Sequence, residues 1–225
     1  MTLPAITTDQ MREVDRIMID DLGIELIQMM ENAGHRLAAV VVDRFTPKTV
    51  TVLAGPGGNG GGGLAAARHL ANRGSDVTVT LARPLDDLAP VPRHQADILD
   101  RMDVRFTADP PESEAVVDAL IGYSLRGDPR GRTAELIEWA NRQPSPVVSL
   151  DTPSGLDTTS GRTGEPCVVA DVTVTLALPK RGLLAAPEKV GDLVVADISV
   201  PPSVYRAFGL EIDDPFGSNG LVELA

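Results

Sequence analysis

Apolar residues change their period along the chain. Near the N-terminus Met11, Val14, Met18 and Leu22 recur at three- and four-residue steps, which places them on one face of a helix. Thr7 and Gln10 have the spacing of a capping box at its start, and Gly23 stops it. A second helix is expected over residues 25–45, with Leu26, Met29, Met30, Ala33, Leu37, Ala38 and Val41 on its buried side. Gly34 interrupts that helix at a cost of about 1 kcal/mol; close approach to another backbone explains it. Pro47 ends the segment. From Val50 onward short apolar runs alternate with polar loops. Strands are expected at residues 50–54, 76–82, 104–106, 115–121, 147–150, 172–178 and 193–198, and helices at 64–72, 93–102 and 133–141. Such alternation implies crossover connections, hence an α/β domain with a mainly parallel sheet and helices on both faces. The stretch after Pro201 is less regular and reads as a tail packed on the surface. The expected organisation is one domain: N-terminal helices over 1–46, an α/β core over 47–200 and a C-terminal tail over 201–225.

Composition sharpens this picture. A chain of 225 residues buries one sizeable core without splitting. Only 3% of residues are aromatic, so that core is Val, Leu, Ile and Ala, the material of parallel strands buried on both faces. A net charge of -12 argues against a nucleic-acid duplex or an anionic membrane as partner. It leaves room for a small anion, because local donors act at short range while distant charge is screened. The lone cysteine, Cys167, rules out an intrachain disulfide and reads as a small packing residue. There is no secretory signal pattern, and no apolar stretch reaches the roughly 20 residues of a membrane helix. A cytoplasmic protein is expected.

Three polar loops follow three apolar strands, at residues 55–63, 122–132 and 151–164. Ligands of open parallel sheets bind outside the carboxyl ends of strands, so these loops are expected to converge on one crevice. The first contains G-x-G-x-x-G as Gly55-Pro56-Gly57-Gly58-Asn59-Gly60, where side-chain-free backbone and a following helix N-terminus suit a phosphate. The acid that a dinucleotide fingerprint places after the second strand is missing: Ala82 and Arg83 stand there. That argues against a nicotinamide dehydrogenase, and the absence of G-K-[ST] excludes a Walker loop. Asp118 lies inside the apolar run Val116–Ile121, where a carboxylate must be paired, hydrogen-bonded or bound to a cation. It is either a structural aspartate capping a neighbouring loop, or a cation ligand or site acid. The loop beyond it brings Ser124, Arg126, Arg130 and Arg132, and arginine suits phosphate. Asp151 ends the next strand, where a general acid or base would sit, and Asp157 organises the following turn. Lys180 offers a cation at the end of a later strand. His35, His69 and His94 lie on expected helices without metal-ligand spacing.

With these loops in place the chain resembles the NAD(P)H-hydrate epimerase family, also called the YjeF N-terminal domain family. The resemblance rests on Met11-Arg12-Glu13-Val14-Asp15, Met30-Glu31-Asn32-Ala33-Gly34, the glycine loop running into Leu64–Leu70, and Asp118-Ala119-Leu120-Ile121-Gly122. Asp151-Thr152-Pro153-Ser154-Gly155-Leu156-Asp157 and Pro179-Lys180-Arg181-Gly182-Leu183 complete it. It implies a Rossmann-like three-layer αβα sandwich, usually a homodimer. It implies epimerisation at C6 of the hydrated nicotinamide ring of damaged NADH and NADPH, which makes the R form available to a separate dehydratase acting on the S form. It also implies a potassium ion held by Asn59, Asp118 and Ser154, hard oxygen donors suited to such a cation. Substrate contacts implied by the resemblance are Gly58, Asn59, Gly60, Gly61, Gly62, Gly122, Tyr123, Ser124, Leu125, Arg126, Gly127, Asp128 and Asp151.

One departure stands out. The family loop reads G-x-G-N-N-G-G-D-G, and here Gly58 and Gly62 replace the first asparagine and the aspartate. A lost contact to a charged or polar ligand group costs about 1.5–3 kcal/mol. A non-catalytic nucleotide-binding or interaction protein on the same scaffold is therefore the alternative to an epimerase. Either route of epimerisation, loss and return of the hydroxyl or ring opening and closure, needs proton transfer to oxygen. Asp151 is assigned as the acid/base and Lys180 as an auxiliary group.

Overall fold

The computed structural model describes residues 3–212 and 215–224. Two helices come first, α1 (Thr8–Arg16) and α2 (Leu26–Phe45). The expected capping box is present at Thr7 and Gln10. Beyond Arg16 the helix widens into one π turn, Ile17–Asp21. Met11, Val14 and Met18 are buried, whereas Leu22, expected on the same face, is exposed because the π turn before it shifts the face it points to. Gly34 does face another backbone: a methyl group on it would lie 2.7 Å from the nitrogen of Ala66.

The core then runs β1 (Thr49–Ala54), α3 (Gly58–Asn72), β2 (Asp76–Leu81), α4 (Pro90–Arg101), β3 (Arg105–Phe106), β4 (Ala115–Ala119), α5 (Arg132–Asn141) and β5 (Val147–Leu150). It continues with β6 (Val172–Leu176), α6 (Arg181–Ala185), α7 (Pro187–Val190), β7 (Asp192–Ala196), α8 (Pro202–Arg206) and β8 (Leu221–Leu224). All eight strands join one sheet in the order β3-β2-β1-β4-β5-β6-β7-β8. Every pairing is parallel except β7 with β8. Side chains alternate across the pleat. Val52, Val117, Val148 and Val174 meet α2, α3 and α4 on one face, while Leu53, Val116 and Val147 meet α5 on the other. This is the expected three-layer α/β architecture.

Two expectations are corrected. The glycine run is not a loop as far as residue 63: α3 begins at Gly58, so most of it is helical. Glycine is a poor helix former, but at Gly62 and Gly63 the sheet leaves no room for a side chain. A methyl group on Gly63 would lie 2.3 Å from the Cβ of Ala119. The stretch after Pro201 is more regular than its sequence suggests, since it forms α8 and the antiparallel edge strand β8. No helix among the described residues is long and apolar enough to cross a membrane.

Candidate active site

The strand order reverses direction between β1 and β4, and ligands of such sheets bind at that point. A cavity of about 390 Å³ opens there. Its walls include Gly58, Asn59 and Gly62 from the start of α3, Gly122, Tyr123 and Ser124 after β4, and Asp151 after β5. The three loops therefore do converge. Apart from Asp15 of α1, the rest of the wall is apolar, from Met11, Ile19, Leu26, Met29, Met30, Ala33, Leu150, Leu176 and Ile198.

Asp151 is 3% exposed and adopts φ +67, a left-handed conformation that costs energy for any residue with a Cβ and is easiest for Asp and Asn. Its backbone N–H still donates to Val174 of the neighbouring strand at 2.7 Å, which fixes the turn. One carboxylate oxygen accepts from the Tyr123 backbone N–H at 3.0 Å. The other meets the ammonium of Lys180 at 2.5 Å. Lys180 is fully buried, and it also donates to Thr175 Oγ1 at 3.0 Å and to the Leu176 carbonyl at 2.7 Å. A buried lysine without such partners would be prohibitively costly. Lys180 thus lies behind Asp151 and does not line the cavity.

Asp118 is wholly buried beneath this floor and accepts four hydrogen bonds. They come from Ser149 Oγ and the Ser154 backbone N–H at 2.8 Å each, Ser154 Oγ at 2.6 Å and the Leu120 N–H at 3.2 Å. Burial still holds its carboxyl above the usual range, and these bonds only offset that. Ser154 Oγ in turn accepts from the Ile121 N–H at 2.8 Å. Asn59 lies close to the loop after β4: a methyl group on Gly122 would lie 3.2 Å from its amide oxygen and 3.1 Å from Asp151 Oδ2. The amide nitrogen of Asn59 is buried with no hydrogen-bond partner among the described residues.

The remaining expected contacts divide. Gly60 and Gly61 are packed inward, against the Gly55 carbonyl and Met30, and do not line the cavity. Leu125, Arg126 and Gly127 lie outside its wall, and Asp128 bridges to Arg162 of the third loop at 2.9 Å. Arg132 is engaged by Glu135 at 3.0 Å and by the Ala108 carbonyl, away from the cavity. At Gly58 there is room for a side chain, since a methyl group would meet only Met30 at 3.7 Å, while at Gly62 it would lie 2.7 Å from a methyl of Leu150. Asp157 accepts from the Ser160 N–H at 2.7 Å and organises its turn as expected. Burial pushes the Cys167 thiol up to about 11, as suits a packing residue. The three histidines sit on α2, α3 and α4, and no cluster of His, Cys, Asp and Glu able to hold a metal occurs among the described residues.

Sequence reasoning missed Asp15. It lines the cavity from α1 and accepts a hydrogen bond from the Tyr123 hydroxyl. Burial raises its carboxyl above the usual range, which the tyrosine bond only partly offsets. The signal was present: Asp15 lies four residues after Met11 and three before Met18, so it is a charged residue on the buried stripe.

Residues 26–182 match the model of the family described as YjeF-related protein N-terminus. The chain is 45% identical to the NAD(P)H-hydrate epimerase of Dehalogenimonas lykanthroporepellens, over 97% of this chain and 92% of that one. It is 33% identical to the protein of the same name from Rhodopirellula baltica, over 93% and 90%. A bifunctional NAD(P)H-hydrate repair enzyme of Hyperthermus butylicus is 42% identical over 80% of this chain and 36% of its own length. The solved structure of yeast ynu0 superposes with a TM-score of 0.86 at 25% identity, covering 99% of this chain and all of the other. The chain belongs to the YjeF-related N-terminal domain family.

Proposed function

We infer that the chain is an NAD(P)H-hydrate epimerase, acting in repair of damaged nicotinamide nucleotides. Two relatives of nearly the same length carry that name. The observation that carries the chemistry is Asp151, held at a left-handed turn on the cavity wall with a buried lysine behind it. In this reading the hydrated ring enters the cavity, and the phosphates lie toward the second loop, where Arg126 is exposed. The first backbone N–H groups of α3 supply further donors, since helix N-termini leave them unpaired. Asp151 exchanges a proton with the ring hydroxyl. Lys180 holds that carboxylate in place by its hydrogen bond, without lining the cavity.

The finer reading includes a potassium ion. Asp118 is a buried carboxylate with no cationic side chain among its hydrogen-bond partners, and the Asn59 amide nitrogen has no partner among the described residues. Amide orientation is assigned from hydrogen bonding, and a turned Asn59 would offer an oxygen instead. Asn59, Asp118 and Ser154 offer oxygens of the type a hard monovalent cation takes, and such an ion would supply positive charge near the site. A potassium-dependent rise in melting temperature that Asn59→Leu removes is its expected signature. A cytoplasmic homodimer, serving a separate dehydratase, completes the reading; light scattering at the monomer mass would contradict the dimer.

The test of function is a coupled assay. A dehydratase specific for the S epimer is given pure R hydrate, with and without the chain. Acceleration by the chain is expected. Tight nucleotide binding without acceleration would reject the enzyme in favour of a binding protein.

A further inference from the structure

Inverting the configuration of one ring carbon presents a geometric problem. The carbon becomes planar once its hydroxyl has left, and a group fixed on one side serves only one face. Asp151 supplies one such group, from the end of β5. The same cavity is lined by a second carboxylate, Asp15, from α1. Tyr123 spans the two, with its backbone N–H on Asp151 and its hydroxyl on Asp15.

The segment carrying Asp15 is built into this place. Ile6 forms a parallel bridge with Lys180, in which its N–H donates to the Pro179 carbonyl at 2.9 Å and its own carbonyl accepts from Arg181 at 3.0 Å. Thr8 is hydrogen-bonded to Thr158 at 2.7 Å. The start of α1 is therefore pinned to the segments that hold Lys180 and follow Asp151. The π turn begins two residues after Asp15, and such widened turns recur at functional sites. The charged neighbours on α1 are occupied elsewhere: Arg12 pairs with Asp9, and Arg16 with Glu13 and Asp21. Tyr123, Asp151 and, more distantly, Lys180 are the titratable groups that act on Asp15.

We propose that Asp15 is a second catalytic acid/base of this site, serving the face of the substrate ring that Asp151 does not. This rests on the epimerase reading above. The step is the following. The carbon–oxygen bond breaks, with its electron pair passing to oxygen, and a carboxyl proton turns that oxygen into water. The lone pair of the ring nitrogen forms a carbon–nitrogen double bond. Water adds to the opposite face, the double-bond pair returns to nitrogen, and the surplus proton passes to the other carboxylate. One proton has then moved between Asp15 and Asp151; exchange with solvent, or turnover in reverse, restores the pair. An Asp15 carboxyl raised by burial, beside a lysine-paired Asp151, suits such a division, since paired acids work when their surroundings differ.

The test is Asp15→Asn, which keeps size and a hydrogen-bond acceptor. Each epimer is incubated in oxygen-18 water, and inversion and label uptake are followed separately. Wild type is expected to invert and to label both. Asp15→Asn is expected to lose inversion by about a hundredfold or more, the usual scale for a proton-transfer group. It should still label one epimer with retained configuration, through Asp151 alone. Inversion within threefold of wild type would overturn the proposal. So would equal loss of labelling in both epimers, which marks a structural role. If Asp15→Asn fails to fold, Asp15→Glu displaces the carboxyl and is read by the same two rates. A wild type that neither inverts nor labels overturns the functional reading itself; a wild type that inverts alongside an unimpaired variant overturns only the role of Asp15.

Discussion

Replacing Lys180 by methionine removes a cation that is fully buried and 2.5 Å from Asp151. Asp151 is itself only 3% exposed, so water cannot take the lysine's place without opening the turn. Breaking a buried pair by removing one partner typically costs about 3–5 kcal/mol. For a chain of this size each kcal/mol shifts the melting temperature by roughly 2–4 °C, so a fall of roughly 6–20 °C is expected. Asp151→Asn should also destabilise the protein, by stranding the ammonium, although asparagine tolerates the left-handed backbone. The double variant Asp151→Asn/Lys180→Met leaves no unpaired charge and should be far less destabilised than the sum of the two. Urea unfolding of the four proteins closes the cycle and isolates the pair. Single variants within about 1 kcal/mol of wild type, or strictly additive losses, would refute the claim that these two groups are one buried unit.

Two further outcomes are expected. Gly34→Ala improves helix propensity by about 1 kcal/mol, but its methyl group would lie 2.6 Å from Ala65 Cβ and 2.8 Å from the Gly62 carbonyl; overpacking costs typically 1–3 kcal/mol, so net destabilisation by chemical denaturation is expected, and a stabilised variant would refute the close helix contact. Asp15 makes stability depend on pH with a definite sign: its folded carboxyl is raised chiefly by burial, so the folded state binds more protons than the unfolded one between the ordinary value near about 4 and the raised value. The stability of wild type relative to Asp15→Asn is thus fully present below that window and lost as pH rises through it; urea midpoints at several pH values check this, and a difference that grows with pH would contradict it.

Much of this molecule could be read before its structure was known, for physical reasons. Buried parallel strands announce themselves as apolar runs, so β1, β2, β4 and β5 fell within a few residues of their expected places. Asp151 could be singled out because a carboxylate at the end of such a run has few structural uses, and it does line the cavity. The helical state of residues 58–63 was hidden because composition argued for a loop, while the contacts that forbid side chains at Gly62 and Gly63 come from Leu150 and Ala119, distant in sequence. The edge strand β8 depends on antiparallel pairing with β7 across a long connection, which local pattern does not reveal. Lys180 could be named from sequence, but its burial behind Asp151 could not, because that depends on the crossing of β6 beside β5.

The reading as a whole turns on one stereochemical measurement. Pure R hydrate of NADH is incubated with the chain alone and with its Asp151→Asn variant, and the S form is resolved by chromatography. Rapid appearance of the S form with wild type and almost none with the variant is the expected result. An S form that appears no faster than in buffer, or equally fast with the variant, would contradict it.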